Sequence, residues 1–315
     1  MADRKTSGGE GGTLAGGRIP STDRPAFRLE LSPAMPVPVL IAAPHGGRAY
    51  PEWLLDRMRD AEAAALRLED RHIDTVAEAL AGETGAALLV AEAPRALLDL
   101  NRANDDMDWG MVEGGAPQRQ AKSLANRRSR SGLGLVPRRL SGSGEIWNRR
   151  MTRPELDERI ASVHQPYHRA LGKALDELRD KWGAALLIDL HSMPPLKRRF
   201  PNEKPPEFVV GDRFGASCDH LLAARALDFL GRRGRGVAHN RPYAGGYVLD
   251  RHAQPARGIH AIQLEICRST YLDARLSEPS ARLPAVVRLL AGLVRDLAAC
   301  TAGLARDRGL PLAAE

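Results

Sequence analysis

Leu187-Ile188-Asp189-Leu190-His191-Ser192-Met193 runs straight into Pro194-Pro195. A short apolar run bounded by turn formers predicts a buried strand. Its tip carries an acid and a histidine, and polar groups are costly to bury unless they have partners. In parallel α/β sheets, ligands bind just beyond the carboxyl ends of the strands. His191 is therefore expected at that edge, with Asp189 holding it from below. Taken alone, His191 also reads as a satisfied core histidine.

The pattern recurs. Val37 to Ala43 predicts a second buried strand, ending in Pro44-His45-Gly46-Gly47. His260-Ala261-Ile262-Gln263-Leu264-Glu265-Ile266 alternates with a period near two and predicts a third, again with an acid near its end. Ala86 to Ala91 reads as a strand, and Ala96 to Leu100 as another followed by Asn101-Arg102. Phe208 to Val210 and Gly236 to His239 read as a short strand and an edge strand. Helices are expected from Pro51 to about Arg59, from Leu68 to Gly82, and from Thr152 to about Trp182. Two more are expected from Ser217 to about Leu230 and from Arg282 to Leu304. Thr152 and Glu155 have the spacing of a capping box. Strands alternating with helices predict one α/β domain over residues 25–315, with a mixed, mostly parallel sheet flanked by helices. Residues 1–24 lack periodicity and are expected as a disordered arm. Residues 105–150 are expected as a long basic loop.

A chain of 315 residues can bury a sizeable core. Its net charge of +7 is concentrated between Arg119 and Arg150 and at Lys197-Arg198-Arg199. Such charge suits an anionic small molecule, a solvated surface or nucleic acid. Stacking aromatics are nearly absent there beyond Trp147, which argues against nucleic acid. Cys218, Cys267 and Cys300 form neither a disulfide framework nor a thiolate metal motif. No apolar run approaches the ~20 residues of a membrane helix. The first residues lack the apolar segment of a secretory signal. A cytoplasmic protein that does not enter the membrane is expected.

Two strand tips offer His45 and His191. A hydrolytic zinc site takes about three protein ligands, His and carboxylate, and keeps a position open for water. Glu69-Asp70-Arg71-His72-Ile73-Asp74 can supply the acid: Asp70 first, Asp74 one turn on, Glu69 or His72 after them. The same acids also suit a plain helix N-terminus. Glu265 is the candidate general base, because Glu is rarely buried unpaired. It can instead be a structural partner of Arg268. Arg102 offers a planar fork for a carboxylate, with Arg138 as a second clamp and Arg251 and Arg257 as further cations. Asn101 can orient a carbonyl. The Gly245-Gly246-Tyr247 turn lets backbone approach a ligand closely.

These segments occur in an order that resembles the N-formylglutamate amidohydrolase family, over roughly Pro38 to Asp273. The carriers are Pro44 to Gly47, Glu69 to Asp74, Asp99 to Arg102, Gly132 to Arg138, Pro166-Tyr167-His168, Ile188 to Met193, Gly245 to Tyr247, and Gln263 to Ile266. The resemblance implies kinship with zinc carboxypeptidases and aspartoacylases and a phosphorylase/hydrolase-like fold. It implies zinc at His45, an acid such as Asp70, and His191, with Glu265 as base. The implied reaction is hydrolysis of N-formyl-L-glutamate to formate and glutamate, a late step of histidine breakdown. One departure stands out. Carboxypeptidase-type sites use His-x-x-Glu, whereas the third residue after His45 is Arg48. Two other functions remain open on the sequence: a metal-dependent hydrolase of another N-acyl amino acid or a peptide terminus, and a non-enzymatic module binding anions or nucleic acid through residues 119–150. A phosphate binder gains nothing from Asp70 and Glu265, which disfavours the last.

Overall fold

Eight strands form one mixed sheet in a computed structural model of the chain. From edge to edge they are β1 (Gly12–Gly16), β2 (Phe27–Leu31), β4 (Ala87–Ala91), β3 (Val39–Ala43), β7 (Ala185–Met193), β10 (Ile259–Cys267), β8 (Phe208–Gly211) and β9 (Val237–His239). The structure describes residues 12–115, 129, 131–140, 142, 144–198 and 204–307. The four central strands, β4, β3, β7 and β10, run parallel. Antiparallel pairs join β1 to β2, β2 to β4, and β10 to β8. Central parallel strands are covered on both faces, so they read as near-continuous apolar runs. Every residue of β3, β4, β7 and β10 is buried.

Successive side chains on a strand point to opposite faces. On one face of β7 and β10, Leu186, Ile188, Leu190, Ile262, Leu264 and Ile266 are apolar throughout. They share a core with the helices Ile73–Thr84, His220–Arg232 and Leu283–Asp307. The other face starts apolar, with Ala185, Leu187, Ile259 and Ala261 packed in the core that includes the helix Gln165–Trp182. It then turns polar at Asp189, His191, Gln263 and Glu265. The register sets Gln263 beside Asp189 and Glu265 beside His191.

The capping box forms at Thr152. Its hydroxyl accepts from Glu155 N at 3.3 Å, and the Glu155 carboxylate accepts from Thr152 N at 2.8 Å. The helix Arg153–Arg159 continues through one π-helical stretch, Ile160–His164, into Gln165–Trp182. It stops at Gly183, whose φ of 77° is left-handed. Thr152→Ala is expected to cost about 1 kcal/mol of stability. That would show as a lower urea midpoint with an unchanged slope.

Several expectations are corrected. Of the arm expected over residues 1–24, residues 1–11 lie outside the described residues, but β1 pairs along its whole length with β2 and Ile19 is fully buried. β1 is mostly exposed and held by backbone hydrogen bonds, so no apolar run announces it. Ala96 to Leu100 is not a strand. The chain turns at Pro94, whose carbonyl accepts from Leu97 N at 2.9 Å. Both sides of the neighbouring β4 are already taken by β2 and β3, leaving no edge to join. Ser217 does not cap a helix: its hydroxyl donates to Ala261 O at 2.8 Å, and Asp219 caps His220–Arg232. The stretch 51–82 holds three helices, Glu52–Leu55, Ala61–Leu68 and Ile73–Thr84, rather than two. Within 105–150, residues 116–128, 130, 141 and 143 lie outside the description. The rest includes a 3-10 turn, Trp109–Met111, and a hairpin of β5 (Arg139–Leu140) with β6 (Gly144–Glu145). Leu135, Val136, Ile146 and Trp147 from this stretch are buried in the core. No helix of the described residues is long and apolar enough to cross a membrane.

Candidate active site

Where the face of β7 and β10 turns polar, at the carboxyl edge of the sheet, a cavity of about 290 Å³ opens. Its walls include His45, Asp70, Asn101, Arg102, His191 and Glu265, together with Arg67, Arg95, Gln263, Arg268, Tyr243, Gly245 and Gly246. His45 follows the end of β3 after Pro44. The next turn needs Gly47, because a Cβ there would overlap the Ala93 carbonyl.

Two imidazoles and one carboxylate meet at the floor. His191 Nδ1 lies 3.0 Å from Asp70 Oδ2, and His45 Nδ1 lies 3.6 Å from the same oxygen. One ligand atom from each of the three falls within 4.8 Å of the others, a group that could hold a metal ion. The far nitrogens are fixed by buried acids. His45 Nε2 is 2.7 Å from Asp99 Oδ1, and His191 Nε2 is 2.9 Å from Asp189 Oδ2. A carboxylate accepts only, so each Nε2 donates to its acid; His191 Nδ1 also faces a carboxylate, and it becomes a ligand atom when the proton it shares with Asp70 leaves. His45 Nδ1 is buried and has no hydrogen-bond partner.

The neighbouring acids are drawn elsewhere, which singles out Asp70. Asp74 accepts both ends of the Arg48 fork, at 2.8 and 2.7 Å, and Glu69 pairs with Arg71 at 2.8 Å. His72 is 3.4 Å from Glu278. Arg48, at the position of the missing Glu, thus faces away from the cluster. Asp70 N donates to His45 O at 3.1 Å, and Ser192 N donates to Asp70 Oδ2 at 3.2 Å, so backbone ties all three segments together.

Burial alone would raise the Asp70 carboxyl, but the hydrogen bond with His191 and the nearby His45 imidazole overturn this and hold it well below the usual range. For Asp99, burial is likewise outweighed, by Arg95, His45 and Arg102. Burial would lower His191, yet Asp189 and Asp70 raise it well above an ordinary histidine. Burial lifts Glu265 to about 7, with His191 opposing and Asp70 and Asp189 adding. Gln263 donates to its Oε1 at 2.9 Å.

Asn101 and Arg102 reach the cavity from the turn after Pro94, not from a strand end. Asn101 Oδ1 accepts from Val248 N at 2.9 Å, and its Nδ2 lies 3.4 Å from His191 Nε2. A Cβ at Gly246 would overlap the Asn101 amide, so a side chain there would push Asn101 out of place. Arg102 donates to Leu133 O at 3.0 Å and to Asn101 O at 2.7 Å.

Other candidates lie elsewhere. Arg138 is bound to Asp108 at 2.9 Å and Glu145 at 3.0 Å, and lines a separate hollow with Arg59 and Trp147. The β5–β6 hairpin carries it away from the sheet edge. Tyr247 opens the helix Tyr247–His252 and turns its ring towards His164 and His168 instead of the cavity. Arg251 donates to the Tyr247 hydroxyl, and Arg257 to Gln254. Arg268 does not pair with Glu265; it donates to Ser192 Oγ at 3.1 Å and to Glu69 O. Five of these wall residues had not been expected in the site: Arg67, Arg95, Tyr243, Gln263 and Arg268. Gln263 had a signal, since it shares a strand face with Glu265. Arg95 had none, because it enters from an irregular turn.

A polar cavity at the carboxyl edge of an α/β sheet, with a His–Asp–His group that could hold a metal ion and a further carboxyl beside it, has the parts of a metal-dependent hydrolytic site. A family model described as N-formylglutamate amidohydrolase matches residues 37–272. An N-formylglutamate deformylase of Pseudomonas aeruginosa is 32% identical over 278 residues, spanning 86% of this chain and 95% of that protein. One from Pseudomonas putida is 34% identical over 239 residues, or 75% and 82% of the two chains. The crystal structure of N-formylglutamate amidohydrolase from Ralstonia eutropha superposes with a TM-score of 0.74 at 31% identity, covering 90% of this chain and 99% of that one. The chain belongs to the N-formylglutamate amidohydrolase family.

Proposed function

We propose that the protein hydrolyses N-formyl-L-glutamate to formate and glutamate with a divalent ion, zinc in the first instance, held by His45, Asp70 and His191. The observation that carries the metal is the buried, partnerless Nδ1 of His45 facing Asp70, with both far imidazole nitrogens fixed on Asp99 and Asp189. Two imidazole Nδ1 atoms, once deprotonated, and one carboxylate are a donor set for zinc and related transition metals. When bound, such an ion polarises a carbonyl oxygen and acidifies water.

The chain's own residues supply the rest. Glu265, beside His191 on the next strand, takes the proton of the attacking water and passes it to the departing amine nitrogen. The C–N bond breaks, formate leaves with the water oxygen, and glutamate leaves with the proton. Arg102 holds a substrate carboxylate, with Arg67 and Arg95 also lining the cavity. Asn101 Nδ2 and the Gly245-Gly246 backbone flank the amide. The buried free thiols of Cys218 and Cys267 suit a reducing compartment, and we place the protein in the cytoplasm.

The test is formate release from N-formyl-L-glutamate, compared with N-formyl-L-aspartate and N-acetyl-L-glutamate, alongside metal analysis. Chelation is expected to abolish turnover and zinc to restore it, with N-formyl-L-glutamate the best of the three. Pure protein that binds no metal and stays inactive with added zinc would refute the proposal. Better turnover of N-acetyl-L-glutamate would move the substrate to another N-acyl amino acid.

A further inference from the structure

Three histidines outside the metal group lie buried behind the Asn101–Arg102 wall. His168 Nε2 is 3.0 Å from Leu100 O, and His164 Nε2 is 2.9 Å from Arg102 O. The carbonyl between them, Asn101 O, accepts from Arg102 Nη1 at 2.7 Å. Three consecutive carbonyls of an irregular turn are thus each held by a side-chain donor. His252 Nε2 lies 2.9 Å from His168 Nδ1, with the two rings stacked. His252 belongs to the helix whose Val248 N donates to Asn101 Oδ1. The contacts close a ring from Asn101 through Val248, His252, His168 and Leu100 back to Asn101.

The proton positions follow. A carbonyl only accepts, so His164 and His168 carry hydrogen on Nε2. His168 Nδ1 is then an acceptor, filled by His252 Nε2–H. Burial keeps all three rings neutral: it lowers His164, lowers His168 well below the usual value, and takes His252 down to about 3. His164 sits in the π-helical stretch, one turn before His168 on the same face. Such local π segments are rare and frequently found at functional sites.

We infer that His164 and His168 are positioning residues for Arg102 and Asn101, fixing the backbone from which those side chains reach the cavity, with His252 locking His168. The inference rests on the function proposed above, in which Arg102 grips a substrate carboxylate.

His164→Leu removes the donor, and His164→Gln restores an N–H near the same place. In the zinc-loaded full-length protein, His164→Leu is expected to raise KM for N-formyl-L-glutamate about tenfold, the scale of one lost charged-group contact. Bound metal and kcat should stay near the parent's. His164→Gln should recover most of KM, and His252→Leu should give a smaller rise. In an Arg102→Ala background, His164→Leu should add nothing, because coupled residues are not additive. A folded His164→Leu protein with the parent's KM would overturn the inference, as would a penalty that survives intact in Arg102→Ala. Should the parent release no formate, the function fails, and protein carrying 15N in its arginines decides the positioning. The Arg102 Nε–H resonance must then move in His164→Leu and return in His164→Gln; an unmoved resonance overturns the inference.

Discussion

Glu265→Gln is expected to lower kcat on N-formyl-L-glutamate by about 10³-fold, within the range of a lost general acid–base group. KM and bound metal should barely change. The substitution keeps the shape, and Gln263 can still donate to the retained oxygen. It removes the one carboxyl of the cavity that is neither in the His–Asp–His group nor paired with an arginine or histidine among the described residues. Stability gives a second readout. Burial raises Glu265 from 4.5 to about 7, so its ionised form is disfavoured in the folded, metal-free chain. A raised carboxyl helps the fold below its unfolded pKa, and that help is lost as pH climbs towards its folded pKa. The metal-free variant should therefore gain on the metal-free parent as pH rises from 4.5 to about 7. Chemical denaturation at several pH values measures this. A kcat within about tenfold of the parent's would remove Glu265 from proton transfer.

Asp70→Asn is expected to abolish both metal binding and turnover. Asp70 Oδ2 is the oxygen on which both Nδ1 atoms converge, at 3.0 and 3.6 Å. A neutral amide there removes a charge from the ligand set and can turn an N–H towards the cation. Competition with a chelating dye should show metal affinity reduced by well over about 100-fold, beyond the 10–100-fold typical of an outer-shell partner. Asp99→Asn, one step out behind His45, provides the contrast and should fall inside that typical range. Equal losses in the two variants would mean that Asp70 is no more than a partner to the imidazoles.

Much of this was written locally. The apolar runs of β3 and β7 and the alternation of β10 are period-two patterns, and a strand displays them whatever it pairs with. That alternation alone puts Asp189 with His191, and Gln263 with Glu265, on common faces. The capping box at Thr152 is likewise a matter of four consecutive residues. The histidine at the tip of β3 and the one near the end of β7 could therefore be read as neighbours across a parallel sheet.

Local patterning sufficed for the α/β sheet, its buried central strands and the two histidines at one edge. Which acid completes the group was an expectation until folding settled it: Asp74 and Glu69 are taken by Arg48 and Arg71, and Asp70 is left for the histidines. Only tertiary structure decided that Arg138 and Tyr247 face elsewhere, that residues 12–16 form an edge strand, and that three histidines brace Asn101 and Arg102. The physical reason is range. Side-chain alternation is fixed by the backbone of a single segment, whereas ion pairing and hydrogen bonding between segments far apart in the chain depend on distances that exist only after folding.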